Sequence, residues 1–360
     1  MNRNPRCRRL LLAMLTIATV LMAAPVPGTA GEGPDPAVPA ENPPAANPDA
    51  FASPRSSVHM LELPDPRGSG EPILAFVGAD APADPAASRR LVVVSHGSGG
   101  GPAVHRDLIE ALVAAGYVVV VPAHVGDNHR GQRLRGPDSW KQRPAEISAA
   151  IDSVAADQRL GARVATDRVG VYGMSAGGHA ALSVAGGVWS PMAFRRHCDA
   201  HLADDFQTCV GLTTSLTGGP SDGIKQWIAR TIIDAKFDDD TPQAYEDRRI
   251  AAIVAAVPVA ADFDIATLTR PRVPLGLLTA ARDAWLVPRF HADRVLAACL
   301  PRCEHLADLP TGGHGAYLSP LPNGMSGLAE RLLGDPPGFD RGVLPAIDRK
   351  IVAFFDRHLD

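Results

Sequence analysis

The sequence predicts an α/β protein with a mostly parallel central sheet and helices on both faces of that sheet. Continuous apolar runs such as residues 91–94 are typical of parallel strands that are buried on both faces. These runs alternate with segments of helical spacing, such as residues 103–115. Alternation of this kind implies parallel strands joined by right-handed crossovers. We therefore expect residues 55–360 to form one domain around such a sheet.

The predicted elements follow one another along this domain. Strands are expected at residues 58–63, 73–77, 91–94, 117–121, 168–172, 250–257, 273–278 and 305–309. Helices are expected at residues 103–115, 144–154, 178–185, 288–299 and 345–359. Pro144 fits the first turn of its helix, where a missing N–H group costs no hydrogen bond. Residues from about 187 to 247 are polar and break the pattern, so we expect a cysteine-bearing lid insertion there.

The first 54 residues have the composition of a secretory signal peptide followed by a linker. Four arginines among the first nine residues precede an apolar stretch at residues 10–24 and small residues at 28–30. This stretch of about 15 residues is short for a membrane span, which needs about 20. Residues 31–54 are rich in proline and alanine, which predicts a flexible linker. We expect residues 1–30 to be removed and the protein to be periplasmic or secreted; an uncleaved membrane anchor is the alternative.

Composition and cysteine count limit the partners and cofactors. The net charge of −4 indicates neither a nucleic-acid partner nor a membrane surface, and a monomer or small homo-oligomer is expected. Four cysteines remain after signal cleavage, and an even number in an exported chain favours disulfides. Three pairings are possible, of which the local one joins Cys198 to Cys209 and Cys299 to Cys303. The spacing fits a metal site poorly, so no metal is expected.

The most informative motif is Gly173-x-Ser175-x-Gly177, which follows the strand at residues 168–172. A strand, a tight turn and then a helix form the nucleophile elbow of α/β-hydrolases, in which the serine has a strained backbone. Glycines two residues before and after it avoid a clash with the turn. The motif alone is weakly specific, because glycine-rich turns that contain serine are common.

A glycine-rich loop at residues 96–101 follows the strand at 91–94 and suits an oxyanion hole. We expect one backbone donor from Gly97 or Ser98 and a second from Ala176, the residue after the serine. The alternative is a phosphate-binding loop, but the segment lacks the lysine and the glycine spacing of nucleotide motifs.

The remaining members of a catalytic triad are expected later in the chain, in the order acid and then histidine. Asp283 follows the strand at 273–278, and His314 lies in a glycine-flanked loop after the last strand. Asp262, which follows the preceding strand, is the alternative acid. Trp285 beside the acid and Tyr317 beside the histidine are candidates for a substrate pocket, although ordinary core packing explains each equally well. A metal cluster is also conceivable but less favoured, formed by His124, Asp127 and His129.

The loop at 96–100, the elbow at 173–178, residues 247–250, Asp283 and Gly313-His314 together resemble exported dienelactone-hydrolase-like proteins. This group is related to platelet-activating-factor acetylhydrolase and to bacterial polyester hydrolases. The resemblance covers about residues 58–358 and implies an α/β-hydrolase fold and carboxylic-ester hydrolysis without a cofactor. It does not imply dienelactone as substrate, because dienelactone hydrolases proper use a cysteine nucleophile.

Substrate preference is less sharply indicated by the residues. The polar insertion shows no long apolar helix, which favours short-acyl or soluble esters. Peptide or amide hydrolysis by the same fold is the alternative activity. A non-catalytic binding protein of this fold is the alternative of a different class.

Overall fold

A computed structural model describes residues 58–78 and 88–360 of the chain. The predicted signal peptide and linker lie outside these residues. The central sheet has eight strands: β1 (Val58–Leu63), β2 (Ile73–Gly78), β3 (Arg89–Ser95), β4 (Val118–Pro122), β5 (Val164–Met174), β6 (Ile250–Ala256), β7 (Leu275–Ala280) and β8 (Glu304–Leu309).

The strands lie in the order β1-β2-β4-β3-β5-β6-β7-β8. β2 is antiparallel to both of its neighbours, and every pair from β4 to β8 is parallel. The predicted α/β-hydrolase fold with a mostly parallel sheet is therefore confirmed. Two short antiparallel ribbons lie outside the sheet and pair Asp127–Asn128 with Gly131–Gln132 and Val188–Trp189 with Phe263–Asp264.

Helices cover both faces of the sheet. The α-helices are α1 (Arg106–Ala114), α2 (Asp138–Ala156), α3 (Ala176–Val184), α4 (Pro191–His201), α5 (Phe206–Val210), α6 (Asp222–Lys236), α7 (Ala292–Cys299), α8 (Gly327–Leu333) and α9 (Leu344–Leu359). Short 3-10 helices lie at Pro102–His105, Gly161–Arg163, Ile265–Leu268, Pro288–Phe290, His314–Tyr317 and Arg341–Val343. Among the described residues, none of the helices combines the length and the apolar character that crossing a membrane requires.

Alternate residues of the central strands pack into two separate cores. On β3, Val93 belongs to the core under α2 and α3, whereas Val92 belongs to the core under α1 and α9. Both side chains are fully buried. Because both faces are covered, the strands require apolar residues at consecutive positions, which explains the continuous runs in the sequence.

Residues 187–247, where the insertion was expected, contain α4, α5 and α6 and share the core of α2 and α3; we keep the name insertion for this segment. Phe194, Phe206 and Ile233 contribute buried side chains to that core. The opposite side of α6 is apolar and exposed at Ile224, Trp227 and Ile232. The polar sequence showed no long apolar helix here. The apolar residues of α6 are separated by polar and charged ones, so they form an exposed apolar stripe only once the helix is built.

The two disulfides have the local pairing. Cys198–Cys209 joins α4 to α5 inside the insertion, and Cys299–Cys303 joins the end of α7 to the segment before β8. Of the three pairings that the sequence allows, this is the one that links neighbours along the chain.

One predicted boundary is wrong in a way that affects the site. α2 begins at Asp138, so Pro144 lies inside the helix and not in its first turn. The residues before it, Trp140 and Arg143, are buried and pack against the protein, which accounts for a helix that extends toward the N-terminus. The proline removes one helical hydrogen bond but does not end the helix.

Candidate active site

Ser175 occupies a strained turn between β5 and α3. Its φ and ψ angles are 58° and −117°, a region that non-glycine residues rarely adopt. Backbone hydrogen bonds fix the turn on both sides: Ser175 N donates to Ala256 O at 3.0 Å, and Val259 N donates to Ser175 O at 3.2 Å. Such strain costs of order 1–3 kcal/mol and persists only where the surroundings impose it. The turn has the strand, sharp bend and helix that a nucleophile elbow requires.

The elbow requires glycine at both flanking positions. A Cβ atom on Gly173 would lie 2.1 Å from the carbonyl oxygen of Gly177, and one on Gly177 would lie 1.9 Å from that of Ser95. Both distances are far inside van der Waals contact, and the obstructing atoms are backbone. The Gly-x-Ser-x-Gly spacing therefore follows from packing at this turn.

His314 lies between Ser175 and Asp283. Its Nε2 atom is 2.9 Å from Ser175 Oγ, and its Nδ1 atom is 2.7 Å from Asp283 Oδ2. A carboxylate only accepts hydrogen bonds, so Nδ1 carries the proton and donates to Asp283. Nε2 then has a free lone pair and accepts from the Ser175 hydroxyl. This arrangement is the one that proton abstraction from a serine requires.

Asp283 is oriented by the backbone of its own loop. Its Oδ1 atom accepts from Trp285 N at 2.9 Å and from Leu286 N at 2.7 Å. These donors hold one carboxylate oxygen, and the other points at His314. The side chains of Asp283 and His314 are each only 2% exposed, so water competes little for their hydrogen bond.

Asp262, the alternative acid, lies elsewhere. Its Oδ2 atom is 3.0 Å from Nε2 of His179, and both side chains are fully buried. His179 belongs to α3, behind the elbow, and it is surrounded by the rings of Trp140, Trp189 and Phe263. The aspartate that contacts His314 is therefore Asp283.

The predicted oxyanion loop approaches the nucleophile closely. A Cβ atom on Gly97 would lie 3.3 Å from Ser175 Cβ. Outside helices and strands, no backbone hydrogen bond among the described residues uses the amides of Gly97 or Ser98. Ala176 is the first residue of α3, where an amide has no acceptor within the helix. Gly97 thus lies beside Ser175, and the amides of Gly97, Ser98 and Ala176 are free of backbone acceptors in the described loops.

A buried ion pair supports this loop, and the sequence analysis missed it. Arg143 is fully buried; its Nη1 donates to His96 O at 2.6 Å, and its Nη2 donates to Asp127 Oδ2 at 2.8 Å. Asp127 Oδ1 in turn accepts from Gly99 N at 3.0 Å. Burial raises the pKa of Asp127, but the charge of Arg143 outweighs it and the pKa is lowered. Arg143 was overlooked because α2 was expected to begin one residue after it.

The same contacts argue against a metal at His124, Asp127 and His129. Asp127 is neutralised by Arg143, and His124 uses both ring nitrogens, one toward Ser95 Oγ at 2.8 Å and one toward Glu146 Oε2 at 2.5 Å. No lone pair of His124 is left for a cation.

The two aromatic pocket candidates have different surroundings. Trp285 is half-buried, and its ring centroid is 5.3 Å from that of His314, so it borders the site. Tyr317 is 7% exposed and donates its hydroxyl proton to Thr279 O at 2.7 Å, inside the core under α1 and α9. Tyr317 is a core residue, which was the alternative explanation for it.

Comparison with known proteins gives one family match. A model of the prolyl oligopeptidase family matches residues 105–195. This is about a quarter of the chain and includes α1, β4, α2, β5, the elbow and α3. No curated protein sequence matches the chain. The protein has the fold of the α/β-hydrolase superfamily, and its elbow region is similar to that of prolyl oligopeptidases.

Proposed function

We propose that this protein is a serine hydrolase that cleaves carboxylic esters through an acyl-enzyme. The observation that carries the proposal is the continuous hydrogen-bonded series from Asp283 Oδ2 through His314 to Ser175 Oγ. The three residues lie in three different loops, each of which follows the carboxyl end of a parallel strand: β5, β7 and β8. Ligand sites of open α/β sheets are formed at these strand ends.

In the proposed reaction, Ser175 Oγ attacks the acyl carbon while its proton moves to His314 Nε2. The bond between the acyl carbon and the leaving alcohol oxygen then breaks, and that oxygen takes the proton from His314. A water molecule, deprotonated by His314, then attacks the acyl carbon. The bond between that carbon and Ser175 Oγ breaks, Oγ takes the proton from His314, and the acid is released. Asp283 keeps the imidazole in the required tautomer and stabilises its positive charge.

The developing negative charge falls on the former carbonyl oxygen. We propose that the amides of Ala176 and of Gly97 or Ser98 donate to it. Removing one such donor costs roughly 3–4 kcal/mol in acyl-transfer enzymes. Arg143 and Asp127 hold the loop that carries two of these amides.

Ester hydrolysis, as opposed to amide hydrolysis, is proposed from the resemblance to exported dienelactone-hydrolase-like proteins. The preference for certain esters is proposed from the polar sequence of the insertion. We propose short-acyl or soluble esters, with Trp285 beside the reacting atoms. We also propose that the protein is exported, in line with its N-terminal sequence and with two disulfides, which persist in oxidising compartments.

Replacing the nucleophile tests the reaction directly. Ser175→Ala should lower kcat on p-nitrophenyl acetate and butyrate by about 10⁴-fold or more, because no hydroxyl remains to attack. It should also abolish labelling by a fluorophosphonate probe. Ser221→Ala, at an exposed position before α6, is the matched control and should behave as wild type. Equal turnover by Ser175→Ala and wild type would end the proposal.

Amide hydrolysis is the second candidate, and the match to the prolyl oligopeptidase family favours it. The same triad can cleave either bond, so the leaving group must be varied at constant acyl group. The comparison uses a p-nitrophenyl ester and a p-nitroanilide of one N-blocked amino acid. An ester hydrolase should have a measurable kcat/KM on the ester and almost none on the anilide. Efficient anilide turnover would assign a peptidase instead, whatever the rate on the ester, because a peptidase also cleaves activated esters.

A further inference from the structure

A buried aspartate of the insertion contacts the loop that carries Asp283. We call residues 281–291, between β7 and α7, the acid loop. Asp205 is fully buried before α5, and its Oδ2 atom is 2.8 Å from His197 Nε2 and 3.0 Å from His291 Nε2. Its Oδ1 atom accepts from Val287 N at 3.3 Å. One carboxylate of the insertion therefore contacts the acid loop at two points.

A threonine adds a third contact. Thr208 Oγ1 lies 2.9 Å from Asp205 Oδ1 and 2.9 Å from the carbonyl oxygen of Trp285, and its one proton is donated to one of these acceptors at a time. The same oxygen lies 3.1 Å from His291 Nε2. The amide of Trp285 is itself one of the two donors that hold Asp283 Oδ1. A continuous series of contacts thus runs from Asp205 through Thr208 and Trp285 to the carboxylate of Asp283.

The disulfide of the insertion holds the members of this cluster in place. Cys198 follows His197, and Cys209 follows Thr208, so the bond between the two cysteines closes the segment that contains Asp205. Phe206, next to Asp205, is buried in the core shared with α2 and α3. The carboxylate is therefore carried by a segment that is both cross-linked and anchored.

The cluster has the residue types of a metal site, but its hydrogen bonds do not fit one. The ligand atoms of His197, Asp205 and His291 lie within 4.8 Å of one another. His291 Nδ1, however, accepts a hydrogen bond from Ala260 N at 3.0 Å. The ring proton is thus on Nε2, which faces Asp205, and a metal at Nε2 would leave the ring with no proton at all.

We propose that Asp205 is a positioning residue for Asp283, which it acts on through the acid loop. This inference rests on the proposed function, in which Asp283 orients His314. Burial raises the pKa of Asp205, but hydrogen bonds from His197 and His291 outweigh it, so that the pKa is lowered and the carboxylate stays charged. Asparagine is a poor replacement for Asp205. Its side-chain NH₂ group would face either the ring nitrogens of His197 and His291 or the amide of Val287, where the carboxylate accepts hydrogen bonds.

A double-mutant cycle tests the proposal, with wild type, Asp205→Asn, Asp283→Asn and the double variant compared on one p-nitrophenyl ester. Asp205→Asn should lower kcat by roughly 10- to 100-fold with KM changed less than about twofold, since it alters orientation and not substrate binding. In the Asp283→Asn background the same change should cost less than about threefold, because two residues that act through one another are not additive. An equal loss in both backgrounds, or an unchanged kcat, overturns the proposal.

Asp239→Asn is the matched control. Asp239 also ties the insertion to the main body, through Lys141 Nζ at 2.6 Å, but it makes no hydrogen bond to the acid loop. Its kcat should stay within about twofold of wild type. If Asp205→Asn does not fold, Thr208→Val removes the hydroxyl that contacts Trp285 O and keeps the shape of the side chain. It should lower kcat by several-fold in the wild-type background only, and equal losses in both backgrounds again overturn the proposal.

A spectroscopic measurement separates this inference from the proposed function. The proton between His314 Nδ1 and Asp283 should give a downfield proton resonance, which Asp283→Asn should abolish. Observing this resonance requires no turnover. Asp205→Asn or Thr208→Val should shift or broaden this resonance, and Asp239→Asn should not. If wild type neither hydrolyses esters nor reacts with fluorophosphonate, the proposed function fails, but a shifted resonance still supports the positioning role. An unmoved resonance overturns that role whatever the activity.

Discussion

The elbow shows how single residues determine the site. Gly173 and Gly177 are required because backbone oxygen atoms occupy the space of any Cβ atom, at 2.1 and 1.9 Å. Ser175 accepts a φ of 58° because its amide is held by Ala256 at the end of β6 and its carbonyl by Val259 just after that strand. These features were predictable from sequence, since the Gly-x-Ser-x-Gly spacing reports a local turn. Asp283 and Asp262 could not be separated in this way, because both follow strands and only tertiary contacts distinguish them.

At the residue scale, the two aspartates give a sharp prediction. Asp283→Asn should lower kcat by about 10⁴-fold, because the amide favours the wrong imidazole tautomer for His314. Asp262→Asn should leave kcat within about tenfold, since its carboxylate contacts His179 behind the elbow. Steady-state kinetics on p-nitrophenyl butyrate compares them, with circular dichroism to check folding. A larger loss for Asp262→Asn would reverse the assignment of the acid.

At the scale of helices and strands, the type of each predicted element was right, but some of the predicted start and end residues were wrong. The predicted strands and helices are all present, but α2 begins at Asp138, six residues before the expected start at Pro144. Because of this shift, Arg143 was not recognised as a buried helical residue. The exposed apolar side of α6 was also missed. Which residues share one side of a helix can be read from a mixed sequence only when the bounds of that helix are known. Local patterns thus identify elements better than they identify where those elements begin.

The two disulfides should stabilise the fold to different extents. Cys198–Cys209 spans 11 residues, whereas Cys299–Cys303 spans 4. In the chain-entropy model, closing these loops stabilises the fold by about 3 and about 2 kcal/mol, because the larger loop removes more freedom from the unfolded chain. Replacing each pair by alanines should lower the free energy of unfolding in that order, measured by urea titration. A greater loss for the shorter loop would contradict the model.

On the scale of the whole molecule, the topology was the most predictable property. Apolar runs on β3, β4 and β5 require cover on both faces, and the observed order of strands provides it. What sequence could not supply was the contact between distant parts, such as Asp205 with the acid loop. Those two segments lie about 80 residues apart in the chain (Asp205 to Val287 is 82), and no local spacing relates them.

A buried histidine and a half-buried aspartate should make stability depend on pH in opposite directions. His105 is 1% exposed with no hydrogen-bond partner for either ring nitrogen among the described residues, and burial lowers its pKa to about 4. Between pH 6.5 and 4 the unfolded chain takes up this proton and the folded protein does not, so acid destabilises the fold. Asp348 is the reverse: burial, with Asp107 nearby, raises its pKa to about 7. Its folded form keeps a proton that the unfolded chain has lost, so its contribution falls as the pH rises from about 4 to 7.

The two variants separate these contributions. Relative to wild type, His105→Leu should gain about 2 kcal/mol of unfolding free energy when the pH is lowered from 7 to 5, since it no longer has a site that must stay neutral. Asp348→Asn should lose stability relative to wild type over the same change. Urea unfolding at the two pH values measures both. Parallel responses of the two variants would show that these groups do not titrate as their burial implies.

The close packing around Gly173 and Gly177 also bears on how this enzyme can diversify. A mutational path to a new substrate cannot change Gly173 or Gly177, because a Cβ atom at either position collides with main-chain atoms. We expect variation in specificity to accumulate elsewhere, for example in the insertion and in the acid loop, where exposed side chains lie. Directed evolution libraries in those two segments should therefore keep Asp283 and Asp205 fixed and vary the exposed positions around them.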